Sequence, residues 1–235
     1  MKDMKKLSLS VIVPTYNEEK LISRTLKNLH EVMPKNTQII VSDGHSKDGT
    51  VRIARKYAKV IYETGHSIGW GRNDGAKASK GDIVLFVDAD TFPTKEYHDR
   101  MIAAFADPKV VCVGCHILPE KVSLIREAFF YALNIVVAAS VAIGQPTIAG
   151  SCVAYRRKAF EKEKGFDTET ASAEDMDLSR RIKRRGKVVF LYNTVVPTSD
   201  RRIHQLGILG LIKDWTRTSI LFITGRKTKT YFAPR

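Results

Sequence analysis

An α/β chain, with a mostly parallel sheet and helices on both faces, is the fold class predicted for these 235 residues. Three observations predict it. Short apolar runs alternate with helix-spaced patterns through the first 115 residues. The runs are almost purely apolar, as in strands buried on both faces. Acids, glycines and hydroxyl residues follow the runs, where open α/β sheets hold their ligands.

The elements follow in order. Leu9–Val13 is an apolar run ending at Pro14. Glu18–Val32 places Leu21, Ile22, Leu26 and Leu29 on one helical face. Gln38–Ser42 is a second strand, and Asp48-Gly49-Thr50 opens a helix running through Tyr57. Val60–Tyr62 is a third strand, Gly69–Lys80 a Gly-rich loop with a short helix, and Ile83–Val87 a fourth strand. Lys95–Phe105 reads as a helix and Val110–Ile117 as a strand. From Ala128 to Tyr155 there is no charged residue. The strongly apolar part, Ala128–Ile143, is shorter than the ~20 residues of a membrane span and is interrupted by Gly144-Gln145-Pro146. Further on come a strand at Ser151–Tyr155, a helix at Ser172–Arg185, a strand at Val188–Leu191 and an apolar helix at Leu206–Ile223. Two units are expected: residues 1–204 as the main domain, and 205–235 as an amphipathic helix with a basic tail, packed on the domain or at a membrane surface.

The net charge is +14 and uneven. Residues 1–150 hold 20 Lys and Arg against 16 Asp and Glu, whereas residues 151–235 hold 19 against 9. A basic final third favours anionic partners such as phosphates or lipid headgroups. No helix-turn-helix, zinc-finger or RNA-recognition signature is present, so no specific nucleic-acid partner is expected. Three cysteines make no disulfide framework and fit a reducing compartment. Cys112-Val113-Gly114-Cys115-His116 matches the spacing of c-type haem attachment, but it lies in a run that reads as a buried strand. With no leader apparent, cytoplasmic localisation is expected.

Asp88-Ala89-Asp90 closes the apolar run Ile83–Val87. If the chain stays extended through Asp90, the two acids point the same way and share one ligand. Hard carboxylate oxygens beside substrate phosphates suit Mg²⁺ or Mn²⁺. Read alone, the same residues are also an ordinary Asp-rich turn.

Three more patterns join it: Val13-Pro14-Thr15-Tyr16-Asn17-Glu18 after the first strand, Ser42-Asp43-Gly44-His45-Ser46-Lys47-Asp48-Gly49-Thr50 after the second, and Glu174-Asp175-Met176-Asp177-Leu178 opening a late helix. In this order and spacing they resemble the family-2 glycosyltransferases of the GT-A fold, over roughly residues 8–202. The branch that makes polyprenyl-phosphate sugars is among those it resembles. The resemblance implies a metal-dependent, inverting transferase taking a UDP- or GDP-sugar. It puts Pro14, Tyr16 and Glu18 around the nucleoside, and has Asp43 accept from a base N–H. Asp88 then contacts ribose or metal, with Ala89 beside the donor, and Asp90 coordinates the metal. Arg72, in Gly69-Trp70-Gly71-Arg72-Asn73-Asp74-Gly75, is expected beside the nucleotide. Asp175, with Glu174, is expected to supply the general base. Arg201, Arg202 or His204 is expected at the phosphates or the metal.

The two late apolar helices, Trp215 and the aromatic basic tail suggest an interfacial surface, hence a lipid-linked acceptor and peripheral contact with the cytoplasmic membrane face. The alternatives are a soluble or polysaccharide acceptor, a nucleotidyltransferase, and a non-catalytic nucleotide-binding module. The late Glu174-Asp175 pair favours the transferase.

Overall fold

The computed structural model describes residues 7–120, 123–170 and 172–224; the side chains of residues 125, 126, 202 and 223 lie outside the description, as does the basic tail. Seven strands form one sheet: β1 (Leu9–Thr15), β2 (Gln38–Asp43), β3 (Lys59–Tyr62), β4 (Ile83–Val87), β5 (Val110–Pro119), β6 (Cys152–Arg156) and β7 (Lys187–Thr198). Their order across the sheet is β3-β2-β1-β4-β6-β5-β7. β1 pairs in parallel with β2 and β4, β2 with β3, and β5 with β7. β6 alone runs antiparallel, between β4 and β5.

Strand alternation divides the core into two layers. Val11, Val13, Leu85 and Val87 face one side, where they meet Leu26 and Leu29 of α1 (Ile22–Val32) and Tyr97 and Met101 of α4 (Lys95–Phe105). Ile12, Val84 and Phe86 face the other, against Ala76 of α3 (Ile68–Lys77), Phe160 of α6 (Arg157–Lys162) and Ile182 of α7 (Glu174–Ile182). Every residue of β4 is buried, which explains its uninterrupted apolar sequence. α2 (Thr50–Ala54) is shorter than expected, one turn followed by a bend.

The Gly-rich segment is itself a helix. Ser67 caps α3 by accepting from Trp70 N. A Cβ at Gly75 would lie 2.2 Å from Ile12 Cγ2, so the glycine lets α3 lie close on β1. β7 runs through Thr198, well past the expected Leu191, and is bulged where it follows β5.

α5 (Leu124–Ala142) and α8 (Arg201–Ile223) meet over Leu118 of β5 and Val195 of β7. Phe130, Ile203 and Leu211 form a small cluster there with Phe129 and Trp215 packed on it. α8 starts at Arg201 and joins two helical stretches across a kink at Gly207 (φ 63°, ψ 173°), close to the expected division after residue 204. Among the described residues no helix is long and apolar enough to cross a membrane. Cys112, Cys115 and Cys152 are all buried and unpaired in the strands.

Candidate functional site

The site lies at the C-terminal edge of the parallel strands. The loops after β1 and β2 are stitched together there. Asn17 N donates to Ser46 Oγ (2.8 Å), Lys47 N to Asn17 Oδ1 (2.8 Å) and Glu18 N to Thr50 Oγ1 (2.7 Å). Asn17 takes a left-handed φ of 53°, which Asn tolerates better than most residues. Pro14, near the end of β1, and Tyr16, on the loop itself, are both half-buried.

Asp43 organises the second loop. It is fully buried. Its Oδ1 accepts from Ser46 N (2.8 Å), and its Oδ2 from Thr15 Oγ1 (2.8 Å) and Ser46 Oγ (2.7 Å). Three of the about four lone-pair sites of this carboxylate are thus taken within the protein.

β4 ends at Val87, and Asp88–Thr91 form a turn closed by Thr91 N to Asp88 O (3.0 Å). The condition of an extended chain through Asp90 is therefore not met, and the two acids take different cationic partners. Asp88 Oδ1 accepts from Arg72 Nη2 at 3.0 Å. Asp90 Oδ2 lies 3.4 Å from Arg201 Nη2, a long contact. The turn is anchored from both sides. Ala89 is buried, and its carbonyl accepts from Thr25 Oγ1 of α1 (2.5 Å). The Asp90 carbonyl accepts from Ser199 N (2.9 Å) beyond the end of β7.

Burial pushes the Asp90 carboxyl up to about 7, with the Asp88 and Glu18 charges adding and Arg201 opposing. A half-buried carboxyl beside two further acids, with one long cationic contact, has much to gain from a divalent cation. Asp90 therefore fits Mg²⁺ or Mn²⁺, with Asp88 near enough for its charge to act on Asp90, provided substrate phosphates complete the coordination. His204 does not join them. Its Nε2 is 3.0 Å from Asp200 Oδ2 on the exposed side of α8. Among the described residues no three His, Cys, Asp or Glu side chains gather as a metal centre.

Arg201 forks onto Glu18, with Nη1 and Nη2 each 2.8 Å from a carboxylate oxygen. The start of α8 is thereby fastened over the β1 loop. Arg202 follows in the helix, with its side chain outside the described residues.

Ala173, in the left-handed region at φ 66°, turns the chain into α7 at the Glu174-Asp175 pair. The two acids then part ways. Glu174 is buried and accepts from Arg72 Nη1 at 2.6 Å. Its carboxyl is raised to about 7 by burial and the Asp175 charge, against the pull of Arg72. Asp175 is half-exposed; its Oδ2 accepts from Gly150 N (2.7 Å) and its Oδ1 from Met176 N (2.8 Å). Of the pair, Asp175 is the more open to solvent.

Arg72 is 2% exposed. Burial works against its charge, but Asp88 and Glu174 outweigh that and hold it protonated. Its guanidinium faces two acids of the protein and has no open side toward a nucleotide. The backbone of Gly150 and Ser151 completes the site: Asp88 N donates to Ser151 O (2.9 Å) and Gly150 N to Asp175. Sequence reasoning missed this pair; the glycine before a strand was the only signal.

The profile of Glycosyl transferase family 2 matches residues 10–163. A validoxylamine A glucosyltransferase of Streptomyces hygroscopicus subsp. limoneus is 31% identical over 137 residues, 51% of this chain and 30% of the relative. The O-antigen chain rhamnosyltransferase RfbN of Salmonella typhimurium is 28% identical over 233 residues, 89% of this chain and 74% of the relative. Among solved structures, the mannosyltransferase PcManGT from Pyrobaculum calidifontis, in complex with GDP-Man and Mn²⁺, superposes with a TM-score of 0.68 at 24% identity. That match covers 90% of this chain and 65% of the other, and shows the shared fold. The chain thus spans less than a third of the Streptomyces relative's length and just under two thirds of the Pyrobaculum protein.

Proposed function

The chain belongs to glycosyl transferase family 2, and from that premise we propose that it moves a sugar from a UDP- or GDP-sugar to an acceptor oxygen, with inversion at the anomeric carbon. One observation carries the reading. Asp88 and Glu174, 86 positions apart in the sequence, are held by the same guanidinium at one edge of the sheet. The turn carrying Asp90 and the helix carrying Asp175 are thereby brought into one site.

The residues divide the work. Pro14, Tyr16 and Glu18 line the nucleoside side, and Asp43 holds the second loop in shape beneath it. Asp90, with Asp88, would hold Mg²⁺ or Mn²⁺, whose charge offsets that developing on the departing diphosphate. Arg201 would exchange Glu18 and Asp90 for phosphate oxygens of the donor. Asp175 faces the acceptor. For a hydroxyl acceptor, its carboxylate takes the O–H proton as the oxygen lone pair forms the new bond to the anomeric carbon. The bond to the diphosphate oxygen breaks on the opposite face, and its electron pair leaves with the nucleoside diphosphate. The backbone bonds from Gly150 and Met176 fix the carboxylate's aim. An acceptor phosphate, already ionised near neutral pH, needs no such proton transfer.

A lipid-linked acceptor is the reading we favour, with the protein resting on the cytoplasmic membrane face. Its support is the exposed apolar surface of α5 and α8, where Leu124, Ile135, Val136, Ile143 and Leu209 are more than 60% open to solvent. The decisive experiment incubates the protein with UDP- and GDP-sugars, Mn²⁺ and a polyprenyl phosphate, and follows release of nucleoside diphosphate. Acceptor-dependent release with one donor supports the whole reading. Release stimulated only by soluble acceptors would remove the lipid part, and none with any donor would remove the transferase part.

A further inference from the structure

We propose that Arg72 is a positioning residue that keeps the donor and acceptor halves of the site in register. The inference rests on the transferase reading above, and on a closed circuit of polar contacts. Arg72 Nη2 reaches Asp88 (3.0 Å), and Nη1 reaches Glu174 (2.6 Å). Asp175, next in the chain, accepts from Gly150 N (2.7 Å), and Ser151 O accepts from Asp88 N (2.9 Å). The circuit returns to its start without leaving the site. It ties the turn bearing the metal acid to the helix bearing the base.

The guanidinium is suited to this task by shape as well as charge. Its two terminal nitrogens diverge in one plane, so one group addresses two carboxylates on different elements; an ammonium offers a single point of charge. The space is fitted to the fork. A Cβ at Gly150 would lie 2.7 Å from both Arg72 Nη1 and Nη2. The Phe166 ring packs on the same group, 5.1 Å from the guanidinium carbon. With 2% exposure, Arg72 reaches a diphosphate only by abandoning both acids. Transfer depends on the separation between the donor's anomeric carbon and the oxygen aimed by Asp175, and small errors in such a separation are costly.

Two variants of the full chain test this by different routes. Arg72→Lys keeps the charge and loses the fork, whereas Gly150→Ala keeps the arginine and displaces it. Each is measured for kcat at saturating donor, for nucleoside diphosphate affinity with Mn²⁺, and for thermal midpoint without ligand. The expected result is the same for both: kcat falls about 100-fold, while nucleotide affinity changes by less than about threefold. The double variant is then no worse than either single one, because both break the same circuit. Retention of kcat within about threefold in either folded variant overturns the proposal. So does loss of nucleotide affinity in Arg72→Lys but not in Gly150→Ala, which would make Arg72 a donor ligand. If Arg72→Lys does not fold, Gly150→Ala decides alone. Failure of the parent protein to bind any nucleotide would instead strike the transferase reading itself.

Discussion

Arg201 and Glu18, 183 positions apart, meet as a two-pronged ion pair with both distances at 2.8 Å. The pair is partly open to solvent, so its worth to folding is small, about 1 kcal/mol at most. Its value lies in what it holds ready. Arg201→Ala is expected to leave the melting temperature nearly unchanged. It should weaken nucleoside diphosphate binding about tenfold, the loss of one charge-assisted contact of about 1.5 kcal/mol. Unaltered affinity in calorimetry would take Arg201 out of the phosphate site.

Asp90 gives the metal prediction. Nucleoside diphosphates tested by thermal shift with and without Mn²⁺ should show a larger stabilisation with metal, about 2.7 kcal/mol at 100-fold saturation. Asp90→Asn should erase the metal-dependent part and leave the rest. If the increment survives in the variant, another group holds the ion.

For Asp175, exposure and orientation make a kinetic case. Asp175→Asn should bind donor like the parent and transfer to a hydroxyl acceptor about 10²–10⁴-fold more slowly. Rapid-mix measurement of single-turnover transfer separates the two quantities. A drop in donor affinity instead would assign Asp175 to the nucleotide.

A fourth expectation concerns pH. Folding raises the carboxyls of Asp90 and Glu174 to about 7. The folded state therefore holds these protons more tightly than the unfolded chain, and the stability this contributes is present below about pH 4 and lost as pH rises toward 7. The test is the difference in urea midpoint between parent and Asp90→Asn. It should be small at pH 4 and grow in the variant's favour up to about pH 7.5. A difference independent of pH would mean that Asp90 ionises as an ordinary surface acid does.

The membrane reading predicts sedimentation with anionic vesicles at low salt, weakened by salt as surface charges are screened. Leu209→Glu combined with Ile135→Glu should abolish it without loss of nucleotide binding. Absence of sedimentation at any ionic strength removes membrane contact from the account.

Much of this architecture was legible from the chain. β1, β2 and β4 are apolar runs cut off by polar residues, and that pattern placed Glu18, Asp43, Asp88 and Asp90 at one edge. What was not legible depends on partners distant in sequence. Arg72 reads as a nucleotide contact because nothing nearby shows that Asp88 and Glu174 enclose it. Gly75 reads as part of a loop, whereas its lack of a Cβ answers to Ile12, 63 positions earlier. His204, expected at the metal, instead meets Asp200, the residue that precedes α8. Alternation of strands and helices cannot announce β6, because five residues carry no mark of their direction; the reversal is set by what the sheet still has unpaired when they arrive.

That reversal also bears on how the protein is made. β4 has β1 on one side, with Leu9 opposite Ile83, and β6 on the other, with Ile83 opposite Arg156. Its second neighbour is therefore synthesised about seventy residues after it, roughly 4–15 s later at ordinary rates of translation. Throughout that interval the nascent chain holds a fully apolar strand whose row of free amides and carbonyls invites pairing with any other extended chain. The acids at its tip cannot be framed until Gly150 and Ser151 leave the ribosome, so this edge of the sheet is completed late in synthesis, and a chain terminated before β6 leaves β4 open to aggregation.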